Sequence, residues 1–182
     1  MDELIDILNT DGTPSNRTAM KSEAHAEGLF HATVHIWFYT KKGEILFQKR
    51  AQNKDTHPGL WDVSVAGHIG AGEPILNSAI REIQEEIGLT VSEDLLQKIG
   101  IFKSVQKHAA YLIDCEFHHT FLSELAVPLK MLTKQKSEVD DLRLIPLREF
   151  EKELNKKIKD SIYVPHSLDY YFTIINRIKE LL

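Results

Sequence analysis

The sequence predicts a single α/β domain, a sandwich in which helices cover a β-sheet. Short segments rich in β-branched and aromatic residues alternate along the chain with segments that have the apolar spacing of amphipathic helices. The 182 residues, of which 42% are hydrophobic and 27% charged, are enough for one sizeable core. The sequence contains no internal repeat and no low-complexity tract, so residues 1–182 are predicted to form one domain.

The first half of the chain is predicted to contain four short strands separated by turn signals. The strands cover residues 4–8, 33–39, 45–49 and 60–65. The turn signals are Asn9-Thr10-Asp11-Gly12, Lys41-Lys42-Gly43-Glu44 and, at the end of the loop 51–60, Pro58-Gly59. Residues 17–28 are predicted to be a linker or a short helix.

The second half is predicted to alternate helices and strands. A helix is expected over residues 74–87, with Pro74 at its first position and Gly88 just past its end. Strands are expected near residues 99–105, 109–122 and 142–145, and a helix is expected from Pro146 to about residue 155. A final helix over about residues 167–182 has an apolar face that consists of Leu168, Tyr171, Phe172, Ile175, Ile178 and Leu182.

Three glutamates form one stripe along the predicted helix 74–87. At helical spacing Glu82, Glu85 and Glu86 fall side by side, and Glu86 lies within the apolar arc. Their like charges repel, and a partly buried carboxylate is costly unless a cation pairs with it. A solvated acidic face does not explain a glutamate among isoleucines, whereas a hard divalent cation, Mg²⁺ or Mn²⁺, would offset the repulsion. Arg81, one turn before Glu85, is expected to orient it through a bidentate pair.

Residues 67–89 read GHIGAGEPILNSAIREIQEEIGL and fit the pattern G-x5-E-x7-R-E-U-x-E-E-x-G-U, where U is apolar, at every fixed position. This pattern is the Nudix box, so the chain resembles the Nudix hydrolases. The resemblance implies an α/β/α sandwich with a mixed central β-sheet, and divalent-metal-dependent cleavage of a diphosphate linkage. The expected partner is a small-molecule substrate, either a nucleoside diphosphate derivative or a related diphosphate compound.

The same resemblance implies a set of metal ligands. Glu82, Glu85 and Glu86 are the expected ligands, with the Gly67 carbonyl as an addition. Glu73 is expected to bind the metal indirectly or to support the ligands without contacting the metal. Glu82 and Glu85 are also candidates for the base that takes the proton of the attacking water, since some members of the family use a glutamate of the box for this step.

Other residues are candidates for roles outside the box. Glu138 occupies the place of a later-loop glutamate that other family members use as the base, although it could instead belong to a solvated acidic run. Lys49, Arg50 and Lys54 precede the glycine loop and are candidates to hold phosphates, and Trp61 is a candidate for stacking on a base. His35 is predicted to be structural, and His118-His119 are predicted to lie at a strand end, although they could instead reach a substrate. The expected lining consists of loops 51–58, 104–109 and 155–167.

A narrower resemblance, carried by residues 31–73, is to the type 1 isopentenyl-diphosphate isomerases and their hydrolase relatives. Those isomerases hold a metal with three histidines and acidic residues. The residues that fall near these positions are His25, His31, His68, Asp114 and Glu116. His68 and Glu116 are therefore candidate metal ligands, and whether all five form a second metal site is open. Ala66 stands where the isomerases have a cysteine, and alanine has no proton to transfer.

Composition excludes several classes of partner. The net charge is −5 and no long basic run occurs, so nucleic acid is not an expected partner. No apolar stretch approaches the length that spans a bilayer, so no membrane is expected as a partner. The first residues lack the pattern of a signal peptide, so the expected location is cytoplasmic. Cys115 is the one cysteine, which excludes an internal disulfide. The apolar C-terminal helix is compatible with a homodimer.

Three functions fit the sequence to different degrees. A metal-dependent diphosphate hydrolase fits best. A non-catalytic nucleotide- or diphosphate-binding module is the alternative, but binding alone has no need of Glu82, Glu85 and Glu86 together. An isopentenyl-diphosphate isomerase fits least, because Ala66 removes its proton-transferring group.

Overall fold

The structure, a computed structural model, describes residues 2–155 and 161–182. Its strands are β1 (Leu4–Leu8), β2 (Pro14–Met20), β3 (His31–Tyr39), β4 (Glu44–Arg50), β5 (Trp61–Asp62), β6 (Val65–His68), β7 (Gln97–Ala109), β8 (Leu112–Glu124) and β9 (Val139–Pro146). Its helices are α1 (Lys21–Glu27), α2 (Ile75–Ile87), α3 (Leu147–Leu154) and α4 (Leu168–Leu181). Single 3₁₀ turns lie at Glu93–Leu95 and Leu129–Met131.

These strands form one mixed sheet around β3. Strand β3 runs parallel to β8, with His31 opposite Glu116. It is antiparallel to β6, where His35 lies opposite Ala66, and to β1 and β4. Strands β5 and β9 extend the sheet from β4, and β7 forms a long hairpin with β8. The predicted mixed central sheet is confirmed.

Helices cover both faces of this sheet because successive side chains of β3 point to opposite sides. On one side Ile36 packs in the same core cluster as Ile83 and Ile87 of α2. On the other side Trp37 packs in a second cluster with Phe150 of α3 and Tyr171 of α4. The helix–sheet–helix layers confirm the predicted α/β/α sandwich.

The N-terminal region and the segment before the box differ from the prediction. Strand β2 was not predicted, because its sequence PSNRTAM has no apolar alternation and its exposed residues are ordered by backbone pairing with β1. The short helix within 17–28 is confirmed as α1. The predicted strand 60–65 divides into β5 and β6, since Ser64 instead donates its hydroxyl to the Leu46 carbonyl. Pro74 has an extended ψ of 137°, so α2 begins at Ile75.

The buried face of the C-terminal helix agrees with the predicted one only in part. Tyr170 and Ile174, which were not assigned to the apolar face, are buried together with Tyr171, Ile175 and Ile178. Leu168 is 54% exposed and Leu182 is 55% exposed, so their assignment was wrong. Residues 156–160 of the predicted lining loop 155–167 lie outside the described residues. In the part of the chain that the structure describes, no helix has the length and apolarity needed to cross a membrane.

Candidate functional site

A cleft of about 750 Å³ lies beside the glycine loop that leads into α2. Each of the three predicted lining segments contributes to it, through Lys54, Gln106 and His166 respectively. Residues 104–109 are not a loop, however, because strand β7 continues to Ala109 and pairs with β8. The stripe of α2 also reaches this cleft, through Glu82, Glu85 and Glu86. The fold therefore brings the box glutamates and the predicted lining loops to one place.

Two of the three glutamates are buried, and the third is accessible. Glu82 is 8% exposed and Glu86 is 5% exposed, whereas the side chain of Glu85 is 48% exposed. Glu86 Oε2 accepts hydrogen bonds from Gln48 Nε2 at 3.1 Å and from the Ala66 backbone N–H at 3.2 Å. Burial raises the pKa of Glu82 to about 7 and the pKa of Glu86 well above its usual range. Without a cation, both carboxyl groups are thus biased toward the protonated form.

Arg81 holds the acidic stripe in place, but its main partner is not the predicted one. Its guanidinium forms a bidentate pair with Glu73, with Nε–Oε1 at 3.0 Å and Nη2–Oε2 at 2.9 Å. The other nitrogen, Nη1, lies 2.7 Å from Glu82 Oε1 and 3.3 Å from Glu85 Oε2. The predicted bidentate pair with Glu85 is therefore wrong, because Glu73 already binds both Nε and Nη2 of the guanidinium. Arg81 Nη2 also donates to the His68 carbonyl at 3.1 Å, which ties the helix to β6.

Gly67 is needed at its position because Glu82 occupies the space of a side chain. A Cβ added to Gly67 would lie 2.0 Å from Glu82 Cδ. The carboxylate of Glu82 thus lies against the backbone of β6 at Gly67. Together with Glu85 and Glu86, this arrangement offers several hard oxygen donors at one wall, which is the donor set that Mg²⁺ and Mn²⁺ prefer.

A second group of metal-ligating side chains lies beside the glycine loop, with one member on α1 and three on the sheet. One ligand atom from each of His25, His31, His68 and Glu116 lies within 4.8 Å of the others. His25 Nε2 is 3.2 Å from His68 Nε2, and His31 Nε2 is 3.5 Å from Glu116 Oε1. His31 Nε2 is buried and has no hydrogen-bond partner among the described residues. Asp114, which was named with this group in the sequence, instead accepts from His108 at 2.8 Å.

Protonation states in this second group fit a cation as well. Burial lowers the pKa of His68 well below its usual value, so the imidazole is neutral. Burial acts to raise the pKa of Glu116, but the neighbouring His31, His118 and His68 hold it well below its usual range. Burial also lowers the pKa of His25, whereas at His31 the neighbouring Glu116 outweighs burial and raises the pKa. A divalent metal requires neutral imidazoles beside an ionised carboxylate, which His25, His68 and Glu116 provide.

The predicted phosphate-binding residues are placed unequally. Lys54 lines the cleft and forms an ion pair with Glu138, which lines it too. Arg50 also lines the cleft, but its guanidinium is bonded to Asp62 at 3.0 Å and to Thr56. Lys49 and Trp61 are not among the described residues that line the cleft, and Arg143 covers the Trp61 ring at 4.2 Å.

Sequence reasoning missed Lys21 and favoured positions away from the site for His35 and His118, which line the cleft. Lys21, the first residue of α1, lines the cleft, and a lone lysine in a linker-like segment gave no signal. His118 was placed at a strand end, but it lies in the middle of β8, where burial lowers its pKa to about 4. His35 lines the cleft although its Nδ1 is bonded to the Tyr170 hydroxyl at 2.7 Å. His166 accompanies them from the segment before α4.

The buried carboxyl group of Glu86 leads to a stability prediction. In metal-free protein, Glu86→Gln is expected to raise the melting temperature relative to wild type at about pH 8, and the difference is expected to vanish near pH 4. The pKa of Glu86 is raised in the folded state, so the contribution of this group is complete below the unfolded pKa and is lost as pH rises through the folded pKa. Glutamine is neutral throughout and keeps an acceptor for Gln48.

Calorimetry over this pH range in the presence of a chelator measures the effect. Glu149→Gln, at an exposed position of α3, is the control for the same chemical change. Adding Mn²⁺ at about pH 8 is expected to reverse the order, because the ionised carboxylate then binds a cation. A difference between Glu86→Gln and wild type that is constant with pH would contradict this account.

Known proteins give an independent comparison with this site. Residues 29–165 match the NUDIX domain. An uncharacterized Nudix hydrolase of Clostridium acetobutylicum is 36% identical over 160 residues, which are 86% of this chain and 76% of that protein. Nudix hydrolase 3 of Arabidopsis thaliana is 34% identical over 172 residues, and the match covers 92% of this chain but 22% of that longer protein. An isopentenyl-diphosphate Delta-isomerase of Serratia proteamaculans is 32% identical over 122 residues, 67% of this chain and 66% of that protein.

Solved structures agree on the fold. A Deinococcus radiodurans protein superposes with a TM-score of 0.66 at 16% identity, over 84% of this chain and 88% of that chain. The NUDIX domain of Shewanella oneidensis NrtR, crystallised with ADP ribose, superposes with a TM-score of 0.56 at 15% identity, over 83% of this chain and 88% of that chain. The matched domain spans most of the chain and includes the box glutamates. The chain therefore belongs to the Nudix hydrolase family, in a branch that it shares with isopentenyl-diphosphate isomerases.

Proposed function

We propose that this Nudix hydrolase cleaves a diphosphate linkage in a small molecule, with Mg²⁺ or Mn²⁺ bound at the box glutamates. The observation that carries the proposal is the burial of two carboxyl groups, Glu82 and Glu86, at the wall of a cleft that also contains the accessible Glu85. Buried carboxylates of this kind are stable in the ionised form only beside a cation. Arg81 faces Glu82 and Glu85, but Glu86 accepts only neutral donors.

The three glutamates and the Gly67 carbonyl are the proposed metal-binding groups. A bound divalent ion supplies charge neutralisation at the phosphoryl oxygens and lowers the pKa of a coordinated water. Arg81 positions Glu82 and Glu85 through hydrogen bonds from its Nη1, while its Nε and Nη2 form the bidentate pair with Glu73. The proposal thus assigns Arg81 and Glu73 to fixing the geometry of the ligands, which typically affects metal affinity by about 10- to 100-fold.

Other residues of the cleft are proposed to bind the substrate and to accept the proton of the attacking water. Lys54 and Lys21 line the cleft and are proposed to hold phosphoryl oxygens. Glu138 and Glu85 are the two carboxylates proposed to accept the proton of the attacking water, and Lys54 forms an ion pair with Glu138. Arg50 is proposed to order the loop 51–60 and Asp62, because its donors are already used there.

The group of His25, His31, His68 and Glu116 is proposed as a second divalent-metal centre. Its support is the unpartnered, buried Nε2 of His31 together with the spacing of the ligand atoms within 4.8 Å. Three imidazoles and one carboxylate suit Mn²⁺ or Zn²⁺ better than Mg²⁺. Because residues of both groups line the same cleft, the two centres would share one substrate.

The isomerase relatives make double-bond isomerisation the competing function, and the cleft argues against it. Ala66 lies on β6 opposite His35, at the position where those isomerases have a cysteine. The chain's one cysteine, Cys115, is buried on β8 and is not among the described residues that line the cleft. A thiol for proton transfer is therefore missing from the site. A non-catalytic binding module does not account for the buried pair Glu82 and Glu86.

A phosphate-release screen tests the proposed function. Purified protein is assayed with Mg²⁺ and with Mn²⁺ against a panel of nucleoside, sugar and isoprenoid diphosphates, including ADP-ribose. Release of phosphate or a monophosphate that requires metal is the expected result. Movement of a double bond without release supports the isomerase, and binding without any turnover by folded, metal-loaded protein supports the binding module.

A further inference from the structure

The inner end of the cleft is built from side chains that the metal centres do not use. Ala66 donates its backbone N–H to Glu86 and lies opposite His35 in the sheet. His35 in turn stacks on His118, with ring centroids 4.0 Å apart, and meets His166 edge-on at 5.4 Å. This end of the cleft therefore extends from Glu86, past the small side chain of Ala66, to the three clustered imidazoles of His35, His118 and His166.

His166 is fixed in orientation by two partners in series. Its Nε2 lies 2.9 Å from Asp62 Oδ1, and Asp62 Oδ2 accepts from Arg50 Nη1 at 3.0 Å. Asp62 is buried, and it also accepts from the Val63 backbone N–H at 2.8 Å. All three acceptor contacts of Asp62 are made within the protein, so its role is to hold His166 rather than to contact a ligand. Among the described residues, no hydrogen bond is made to His166 Nδ1.

His118 is fixed in the same way and has an unused ring nitrogen. Its Nδ1 lies 2.8 Å from Thr33 Oγ1, whereas its Nε2 is buried without a hydrogen-bond partner among the described residues. Leaving such a polar atom unsatisfied costs about 1–3 kcal/mol. A ligand group that can both donate and accept would remove this cost.

The charges at this end decide which group fits. Three cations line the described cleft: Lys54, which is paired with Glu138, Arg50, which is bonded to Asp62, and Lys21 at the start of α1. Since Glu116 is assigned to the second metal centre, the inner end has the carboxylate of Asp62 close by and, among the described residues, no free cation. A phosphate is disfavoured there by charge, and a hydrocarbon is disfavoured because it would leave polar groups unpaired.

We propose that His166 and His118 form a hydrogen-bonding subsite for a neutral, hydroxylated group attached to the diphosphate of the substrate, with Asp62 and Arg50 as positioning residues for His166. The subsite discriminates against substrates whose attached group is a plain hydrocarbon. This inference rests on the proposed function, since it concerns the same cleft and takes the diphosphate to lie at the glutamates.

A matched pair of compounds tests the subsite. Dimethylallyl diphosphate and its 4-hydroxy derivative share one carbon skeleton and differ by a single hydroxyl group. Dissociation constants are measured by calorimetry with Mg²⁺ for the methylene-bridged analogues of both, which cannot be cleaved at the bridge. The wild-type protein is expected to bind the hydroxylated analogue about tenfold more tightly, as one well-placed hydrogen bond allows.

Two substitutions of His166 separate its role in binding from its role in folding. His166→Phe keeps the ring and removes both nitrogens, and His166→Gln keeps a donor for Asp62 while removing the Nδ1 position. Both are expected to bring the ratio of the two dissociation constants to within about twofold, and thermal unfolding checks that each variant is folded. Equal binding of the two analogues by wild type, binding of neither, or a ratio that neither substitution changes would overturn the subsite.

Hydrolysis of the parent compounds is measured in parallel and keeps the two proposals distinct. Phosphate release from both compounds without discrimination would refute the subsite and leave the hydrolase. Discrimination in binding that His166→Gln abolishes, without phosphate release from any diphosphate of the screening panel, would refute the hydrolase and leave the subsite.

Discussion

Replacing Glu85 by glutamine is expected to lower the metal-dependent rate of diphosphate hydrolysis by roughly 10²- to 10³-fold, the size expected when one charge-stabilising group is lost from an active site. Glu85 is the accessible member of the stripe, with its side chain 48% exposed, so the substitution removes a charge without opening the core. Arg81 keeps its bidentate pair with Glu73, which holds the rest of the site in place. The measurement is kcat/KM at saturating Mg²⁺, together with the melting temperature.

Glu149→Gln is the matched control, because it makes the same chemical change at an exposed position on α3. It is expected to leave both the rate and the melting temperature unchanged. A Glu85→Gln protein that retains more than about a tenth of the wild-type rate would remove Glu85 from the proposed machinery. A large loss of melting temperature in Glu85→Gln would instead assign the effect to folding.

Gly67→Ala is expected to reduce activity by at least as much, through a single methyl group. The added Cβ would lie 2.0 Å from Glu82 Cδ and 2.2 Å from Glu82 Oε1, so the carboxylate must leave its place. Glu82 then loses its contact with Arg81 and its position at the wall of the cleft. A loss of roughly 10²-fold or more in kcat/KM is expected, with weaker Mn²⁺ binding in calorimetry.

The control for this prediction is Gly100→Ala on β7. There the added Cβ would make ordinary contact at 3.4 Å with the Phe102 ring, away from the cleft. Gly100→Ala is expected to retain wild-type kinetics. If Gly67→Ala also retains them, Glu82 can act from another position, and the tight contact between β6 and α2 has no role in function.

How far the sequence predicts this fold depends on the range of the interactions involved. The helix α2 was predictable because its apolar spacing and Gly88 are local signals, and Gly88 ends the helix with φ at 67°. Strand β2 was not, because its seven largely polar residues form a strand only through pairing with β1. The split between β5 and β6 likewise depends on Ser64, whose partner Leu46 is distant in sequence.

In the candidate site too, features set by local sequence were predictable and features set by contacts distant in sequence were not. The stripe of Glu82, Glu85 and Glu86 follows from helical geometry, and the burial of Glu86 is as the apolar arc predicts. The burial of Glu82, which lies outside that arc, depends on its contact with Gly67 of β6. The partner of Arg81 could not be read from spacing, because Glu73 reaches it from the loop before the helix. His118 and His166 meet across 48 residues of sequence only because β8 lies parallel to β3 and the segment before α4 returns to the sheet.

The central claim, metal-dependent hydrolysis at the box glutamates, is tested most directly by the isotope content of the product. The reaction is run in H₂¹⁸O with Mn²⁺ on the diphosphates that the screen identifies, and the phosphate-bearing products are examined by mass spectrometry. The account predicts one ¹⁸O atom for each linkage cleaved, and no product when a chelator removes the metal. Products that lack the label, products that form without metal, or no product from any diphosphate with folded, Mn²⁺-loaded protein would contradict it.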